Sequence, residues 1–267
     1  MKTRQISPSA DFMRSLLIIS QDYGIHDPGL TEFGLLSQCQ DLATQLQTKL
    51  PLAQEIELIV TSPMRRTLQT VEQSLGWLIK RGVPVILLAE LQENSSKPCD
   101  TGSSIAMMKK EWPQFNWDAV DPIYPSKTGL YEFSKDAITR RGIAARTWLR
   151  QRPEKVIAVV AHSGFLRVGM SYRKYYNADF RIFDFGEGYD EIGGRLVEWD
   201  LTESKGGGLG KSPKGIAGWE TQKFPDEAVQ LREDEGEVVD KDENSKLPEV
   251  RIVHAVSQDS QRIAANN

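Results

Sequence analysis

The sequence has little cysteine and histidine and no long apolar run: among its 267 residues there are two cysteines and three histidines. Cys39 and Cys99 are too few for a disulfide framework, and they lack the partner spacing of a zinc site. No stretch reaches the roughly 18 apolar residues of a membrane-spanning helix, and residues 1–14 lack the apolar segment of a secretory signal. These absences predict a cytoplasmic chain that has no membrane partner.

The charge is close to balanced, with a formal net charge of −4 at pH 7. Residues 201–267 hold 9 Lys and Arg against 13 Asp and Glu, so the whole negative excess lies in that C-terminal part. The preceding part is neutral and offers no extended basic surface, so we expect no nucleic-acid partner. A local basic pocket for a small anion is compatible with this balance.

Short apolar runs alternate with helical patterns along the chain. The runs are continuous and rich in branched residues, as in strands covered on both faces, and they lie at 16–19, 56–60, 83–89 and 156–161. Helical spacing covers 31–50, 64–81 and 134–151, and the alternation at 194–201 suits a strand at a sheet edge. This alternation predicts an α/β fold with a mainly parallel sheet.

The composition changes near residue 202. Beyond it come a glycine run and then a strongly charged stretch without the apolar periodicity that offsets chain entropy. We predict an N-terminal extension at 1–14, one α/β domain at 15–202 and a polar, mostly disordered tail at 203–267, with His254 exposed in it. The glycine run lacks the spacing of a phosphate-binding loop, so we interpret it as a linker. The tail could recruit a protein partner, although charge runs are usually only solvated.

Basic residues follow the run at 56–60, at the edge where parallel sheets bind ligands. In "TSPMRRTLQT", Ser62 can cap a helix and Pro63 fits its first turn, which places Arg65 and Arg66 in that turn. An arginine at a helix N-terminus forms an anion site. The alternative is two surface arginines on a helix.

Titratable residues follow the next two runs. Glu90 and Glu93 come after 83–89, either as proton donors at the rim of a site or as solvated loop charges. "HSGFLR" comes after 156–161, with His162 at the strand end and a helix start at Ser163. An imidazole there binds anions or transfers protons near neutral pH, unless it is a hydrogen-bonded structural histidine. No nucleotide fingerprint, zinc spacing or EF-hand loop occurs, so we expect no cofactor and no metal.

Together these motifs resemble the histidine phosphatase superfamily, in its phosphoglycerate mutase-like branch and especially its fungal members. The resemblance rests on "SPMRRTLQT", "ELQE" with the following "PCDTGS", and "AHSGFLR", and it spans roughly 17–199. Further matches are "DPGLTEFG" with Gln38 in the next helix, "SKTGLY", and "RRGIAARTWLRQRPEK". The resemblance implies a three-layer α/β/α sandwich with a mainly parallel sheet and the site at the strand C-termini.

The resemblance also implies roles for three residues. In this family a histidine in an Arg-His-Gly or Arg-His-Ala motif after the first strand attacks phosphorus, while its arginine, a second arginine and a second histidine hold the phosphoryl oxygens. A carboxylate protonates the leaving group. By motif position, Arg66 is the second arginine, Glu93 the acid and His162 the second histidine. The implied ligand is small and phosphorylated or otherwise anionic, and the ancestral activity is phosphoester hydrolysis.

The first strand departs from the family pattern. Aligned without a gap, "LIISQ" has Ile19 in place of the arginine and Ser20 in place of the nucleophilic histidine, and the loop before Asp27 is short. Ser20 activated by His162, or His26 in "GIHDPGLT", are speculative substitutes, although a surface or capping role suits His26 better. Removal of a covalent nucleophile costs on the order of 10⁶ in turnover, so ordinary phosphohistidine catalysis is not expected.

Three explanations of this departure stay open at the level of the sequence. The pocket serves another reaction, in which Glu93 and His162 transfer protons on an anionic metabolite. Alternatively, the chain is a pseudoenzyme that binds a phosphorylated ligand or a protein. In the third explanation, which the short loop favours, the sequence lacks a short segment that held the Arg-His pair.

Overall fold

The computed structural model of the chain describes residues 23–186, 194–217 and 251–256, the last three of these through their backbone only. The described strands form one six-stranded sheet in the order β2-β1-β3-β6-β4-β5. They are β1 (Leu58–Thr61), β2 (Val85–Leu87), β3 (Val156–Ala161), β4 (Phe180–Phe185), β5 (Leu196–Glu198) and β6 (Arg251–Val256). β1 pairs in parallel with β2 and β3, and β3 with β6, whereas β4 is antiparallel to β5 and β6. The predicted mainly parallel sheet is confirmed.

Three of the apolar runs form strands where the sequence predicts them, because branched residues suit a backbone that is buried on both faces. All 6 residues of β3 are buried. β5 lies at the sheet edge, as the alternating pattern at 194–201 predicts. β4 was not predicted, and the run at 16–19 lies outside the described residues, so the expected first strand stays a prediction.

Helices lie where the sequence predicts them over 31–50, 64–81 and 134–151, whereas those at Ile105–Glu111 and Asp200–Glu203 were not predicted. The α-helices are α1 (Cys39–Lys49), α2 (Arg65–Thr70), α3 (Gly76–Lys80), α4 (Ile105–Glu111), α5 (Lys135–Arg150), α6 (Ser163–Phe165) and α7 (Asp200–Glu203). π-helical segments continue three of these helices, at Gly34–Gln38, Val71–Leu75 and Leu166–Met170. Short 3₁₀-helical turns lie at Pro51–Glu55, Ala89–Leu91, Pro98–Asp100 and Gly129–Tyr131.

Two apolar layers hold helices on the two faces of the sheet. On one face, Leu42 of α1 packs in a cluster with Ile59 of β1. On the other face, Ile138 and Leu149 of α5 pack with Val60 of the same strand. Successive residues of a strand point to opposite faces, so β1 serves both layers. The α/β/α sandwich that the resemblance implies is therefore the observed fold.

The central strand β6 comes from the C-terminal part of the chain, where the composition predicts a disordered tail. β6 pairs with β3 on one side and β4 on the other, and Ile252 and Val253 are 0% and 1% exposed. The tail prediction is therefore wrong for 251–256, and the backbone of His254 lies inside the sheet. "RIVHAV" is a short apolar segment in a strongly charged context, so composition over a longer window hides its strand character.

The glycine run is a packed loop rather than a linker. It wraps the buried carboxylate of Asp179, which accepts hydrogen bonds from the backbone N–H groups of Leu209 and Ser212. Gly207 has a φ of +86°, and a Cβ there would lie 2.8 Å from Asp179 Oδ1, so the loop requires glycine at this position. The linker prediction fails because the anion that the loop encloses is a side chain distant in sequence.

The domain boundary at residue 202 does not hold either. Residues 203–217 pack on the domain: Leu209 contacts the core, and the Gly208 N–H donates to the Phe180 carbonyl at 2.8 Å. The extension at 1–14 and the tail segments 218–250 and 257–267 lie outside the described residues, so those parts of the domain assignment stay predictions.

Replacement of Ile252 by alanine tests whether the C-terminal strand belongs to the core. Truncation of a buried isoleucine to alanine costs about 2–5 kcal/mol, so we expect Ile252→Ala to lower the free energy of unfolding by that amount in urea denaturation. Ile216 is 76% exposed, so the matched control Ile216→Ala should change it by less than about 0.5 kcal/mol. Equal effects of the two substitutions would contradict the placement of β6.

Candidate functional site

Three of the predicted site residues, Arg66, Glu93 and His162, come together beyond the carboxyl ends of three adjacent parallel strands. Thr61, the last residue of β1, is in register with Leu87 of β2 and Val160 of β3. The residues that follow these strands therefore reach the same sheet edge, where open α/β sheets bind ligands. Ser62 follows β1 directly, and His162 follows β3 directly as the N-cap residue of α6.

His162 is buried, with 1% of its surface exposed. Its Nε2 lies 3.0 Å from the hydroxyl oxygen of Ser62, whereas its Nδ1 is buried without a hydrogen-bond partner among the described residues. Burial holds the pKa of His162 well below its ordinary value, and the positive charges of Arg66, Lys127 and Arg141 lower it further. The imidazole is therefore neutral at pH 7, and one of its nitrogens is free to bind a ligand.

Ser62 has a different role from the predicted one. Helix α2 begins at Arg65, and its N-cap residue is Met64, which makes no side-chain cap. Ser62 instead lies at the end of β1 and contacts His162. The capping prediction is wrong because the helix begins two residues later than expected, which leaves the Ser62 hydroxyl at the sheet edge.

The two adjacent arginines separate into one structural residue and one site residue. Arg65 makes a two-pronged ion pair with Glu111 at 3.0 and 2.7 Å. Arg66 is 2% exposed, donates from Nη1 to the Cys99 carbonyl at 2.7 Å, and has its Nη2 3.5 Å from a carboxylate oxygen of Asp100. Its Nε and Nη2 make no hydrogen bond to the part of the chain that the structure describes. The surface alternative is thus wrong for Arg66, which presents two buried donor atoms.

Glu93 is buried next to the start of α6, so the solvated alternative is wrong for it. Its side-chain oxygens accept the backbone N–H groups of Asn94 at 2.8 Å and of Gly164 at 3.2 Å. Burial is the main cause that raises the pKa of Glu93, and Asp100 adds to it, while Arg66 acts in the opposite direction. A carboxyl group with a raised pKa can hold a proton and donate it.

Two further basic residues, Lys127 and Arg141, belong to the same cluster and were not predicted. The Lys127 ammonium donates to the backbone carbonyl of Glu93 at 2.5 Å, and Arg141 donates from Nη2 to Asn94 Oδ1 at 2.6 Å. Arg141 lies on the apolar face of α5, at helical spacing from Ile138 and Ala145. A basic residue on that face was the signal in the sequence that could have identified it.

The speculative substitutes for the nucleophile are not brought to this cluster by the described structure. Ser20 lies outside the described residues. His26 is exposed, whereas its neighbour Asp27 is buried and accepts the backbone N–H groups of Arg65 at 3.1 Å and Ser103 at 2.9 Å. The "DPGLT" motif therefore ties the loop around residue 27 to the start of α2 through Asp27, not through His26.

Other kinds of site find no support in the part of the chain that the structure describes. In these ranges no group of three or more His, Cys, Asp or Glu is arranged to hold a metal ion. Both cysteines are buried. Within the same ranges, the helices are too short or too polar to cross a bilayer.

The chain is similar to a probable phosphatase and to phosphoglycerate mutase-like proteins. Residues 20–186, more than half of the sequence, match the histidine phosphatase superfamily (branch 1). A probable phosphatase of Schizosaccharomyces pombe is 31% identical over 153 residues, which is 56% of this chain and 68% of that protein. The range matched to the superfamily contains Arg66, Glu93 and His162, whereas β6 lies outside it.

Two relatives come from Arabidopsis thaliana. A phosphoglycerate mutase-like protein is 27% identical over 175 residues, which is 55% of this chain and 63% of that protein. Phosphoglycerate mutase-like protein 2 is 39% identical over 71 residues, which is 26% of this chain and 20% of that protein. The chain thus covers less than two thirds of each of these two relatives.

Replacement of Gly164 by alanine tests the contact between Glu93 and α6. An added Cβ would lie 2.9 Å from Glu93 Oε2, so the carboxyl group has to move, and we expect a loss of about 1–3 kcal/mol in the free energy of unfolding. Gly76→Ala in α3 is the matched control, because a Cβ there meets nothing within 4 Å and alanine favours helix. If thermal and urea unfolding give the two variants equal stability, the described packing of Glu93 is wrong.

The pH dependence of stability tests the burial of the Lys127 ammonium. Burial is the main cause that lowers its pKa to about 7 from the ordinary 10.5. Between these values the unfolded chain binds more protons than the folded one, so Lys127 makes stability rise with pH, by at most about 1.4 kcal/mol per pH unit. We expect Lys127→Met to flatten the rise of the unfolding free energy with pH, measured by urea denaturation from pH 7 to 10. The control Lys109→Met, at a side chain that is 53% exposed, should preserve this rise. An unchanged slope in Lys127→Met would contradict the assignment.

Proposed function

The chain belongs to the histidine phosphatase superfamily (branch 1), and on that premise we propose that the buried cluster binds the phosphoryl group of a small phosphoester. The binding groups are Arg66 and His162. By ancestry the protein is a phosphoester hydrolase. Its catalytic machinery is degenerate because the nucleophilic histidine and its arginine are missing, so turnover is lost. The name of the S. pombe relative, a probable phosphatase, supports this class of ligand.

The observation that carries the proposal is a set of buried donor atoms that lack hydrogen bonds, although Arg66 Nη2 lies 3.5 Å from a carboxylate oxygen of Asp100. Nε and Nη2 of Arg66 and Nδ1 of His162 make no hydrogen bond within the described residues. A buried polar group without a partner costs about 1–3 kcal/mol, and a charged one more. When Nε2 of His162 accepts a hydrogen bond from the Ser62 hydroxyl, the neutral imidazole carries its N–H at Nδ1. The three atoms then all donate, and the oxygens of a phosphoryl group are suitable acceptors.

Glu93 supplies the acid in this proposal. Its raised pKa favours the protonated form, which would donate a proton to the leaving oxygen only when a nucleophile forms a bond to phosphorus and the P–O bond breaks. The hydrogen bond from the Gly164 N–H to Oε2, at 3.2 Å, fixes the carboxyl group next to the helix that begins after His162. Acid catalysis and phosphoryl binding therefore involve neighbouring groups.

The nucleophile is the missing part of the catalytic machinery in this proposal. Ile19 and Ser20 stand where the family has its arginine and nucleophilic histidine, and the exposed position of His26 does not favour it as a substitute. Loss of a covalent nucleophile costs on the order of 10⁶ in turnover. Binding depends on Arg66 and His162 and is retained.

Titration with benzylphosphonate, a phosphoester analogue that cannot be hydrolysed, tests the binding proposal. We expect isothermal titration calorimetry to show binding that Arg66→Ala weakens by about 10- to 100-fold, since a hydrogen bond to a charged group contributes roughly 1.5–3 kcal/mol. His162→Ala should weaken it about tenfold through loss of one neutral hydrogen bond.

Arg65→Ala is the matched control for this titration, because Arg65 is the neighbouring arginine and pairs with Glu111. Its affinity for benzylphosphonate should stay within about twofold of that of the wild type, which is a difference below 0.5 kcal/mol, as about 1.4 kcal/mol is tenfold. The absence of binding in the wild type, or equal affinities of Arg66→Ala and the wild type, would overturn the proposal.

A further inference from the structure

The glycine loop (205–217) carries a short motif that the site does not use, "KSPK" at 211–214. Ser212 is followed by proline and has a lysine on each side of the pair, which is the type of sequence that proline-directed protein kinases phosphorylate. Proline favours an extended conformation of the residue before it, as a kinase requires of its substrate. Lys211, Pro213 and Lys214 are exposed, whereas Ser212 is only 6% exposed.

The Ser212 side chain points inward because it closes the loop on the buried carboxylate of Asp179. Its hydroxyl donates to Asp179 Oδ2 at 2.6 Å and accepts the backbone N–H of Tyr176 at 3.0 Å. The backbone N–H of Ser212 donates to the same carboxylate oxygen at 3.0 Å. The closed loop therefore depends on a Ser212 hydroxyl that is free to donate.

A phosphate on Ser212 is incompatible with this closed loop. Phosphoserine carries a charge of about −1.5 to −2 at pH 7, and its oxygens act as strong acceptors. It would replace the hydrogen bond to Asp179 with repulsion between two negative groups. Arg181, which donates to the Pro213 carbonyl at 2.7 Å, already pairs with Glu198 at 2.6 Å. The phosphorylated loop therefore has to leave Asp179.

The loop can open without unfolding of the sheet. Leu209 packs partly buried against the core, whereas 210–211 and 213–216 are exposed. Segments with few buried apolar contacts open at a lower cost than core strands. Ser62 provides a contrast, because it is also followed by proline but lies directly after β1 and is 0% exposed. Local opening thus exposes Ser212 and leaves Ser62 buried.

We propose that Ser212 is a phosphorylation site for a proline-directed protein kinase, and that its modification releases the glycine loop from Asp179. In the transfer, the Ser212 Oγ forms a bond to the γ-phosphorus of ATP, the bond from that phosphorus to the ADP oxygen breaks, and the hydroxyl proton passes to the base of the kinase. This inference goes beyond the proposed function and does not depend on it, since Asp179 and Ser212 take no part in phosphoryl binding by the buried cluster.

Release of the loop also frees the segment 172–179 on which it packs. The Ala217 N–H donates to the Tyr172 carbonyl at 2.8 Å, and the Tyr176 N–H loses its acceptor when Ser212 moves away. Within this segment, the Tyr175 carbonyl accepts the hydroxyl of Ser163 at 3.2 Å. The modification therefore acts on a segment that contacts the first residue of α6.

Treatment of the full-length protein with ATP, Mg²⁺ and a cyclin-dependent kinase tests the site, with the phosphorylated residues mapped by peptide mass spectrometry. We expect phosphate on Ser212. Asp179→Asn should raise the initial rate about tenfold, since loss of one carboxylate acceptor favours the open loop. Asp200→Asn is the matched control at an exposed aspartate, and its rate should stay within about twofold of that of the wild type.

Gly210→Ala provides a second variant if Asp179→Asn fails to fold. Gly210 is exposed and has a φ of +67°, so alanine strains the closed loop at its surface and should also raise the rate. Phosphate on Ser62 instead of Ser212, no phosphate on Ser212 in the wild type, or equal rates in the loosened variant and the wild type would each overturn the inference.

Hydrogen exchange of the phosphorylated protein tests the release of the loop. We expect the backbone amides of Leu209, Ser212 and Ala217 to exchange at least about tenfold faster than in the unmodified protein, while those of β3 keep their rates. Ser212→Ala removes the hydroxyl without adding charge, so its effect should be smaller. Unchanged exchange in the loop after phosphorylation, or an effect no larger than that of Ser212→Ala, would contradict the proposed release.

Discussion

The structure of the site depends on one electrostatic constraint: basic side chains are buried around a neutral imidazole. Arg66 and Arg141 are 2% and 0% exposed, and the Lys127 ammonium reaches the backbone of Glu93. Their charges and burial together keep His162 unprotonated and push Lys127 toward its neutral form. A folded protein keeps such groups buried only when the rest of the fold supplies the stability, and a bound anion reduces the cost. The preference of the site for an anion thus follows from the excess of buried positive charge over negative charge inside it.

The sheet is what makes this arrangement possible. β3 ends at the residue before His162, and its two neighbours, β1 and β6, pair with it along its length. The fully buried strand holds the imidazole in place, while the register with β1 brings Ser62 beside it. β6 lies at the centre of the sheet and comes from the C-terminal part of the chain, so the integrity of the site depends on residues far beyond the range matched to the family.

The sequence predicts the parts of the fold and site that depend on local patterns. The runs that form β1, β2 and β3 are continuous and apolar, and Arg66, Glu93 and His162 follow motifs of fixed spacing. Arg141 was missed although its place on the apolar face of α5 is a local signal. Lys127 was missed because its contact with the backbone of Glu93 joins loops that are distant in sequence. β6 and the glycine loop were misinterpreted for a similar reason, since the partners that order them, β3 with β4 and the Asp179 carboxylate, are remote in sequence.

The central claim is that the pocket retains phosphoryl binding while turnover is lost with the nucleophile. The most direct test is phosphate release by the purified protein from a panel of phosphomonoesters, with His162→Ala purified identically to reveal contaminating phosphatases. The account predicts that the wild type releases no more phosphate than the His162→Ala protein. Turnover that is robust in the wild type and absent in His162→Ala would contradict the account, and would show that phosphatase chemistry proceeds without the family's nucleophile.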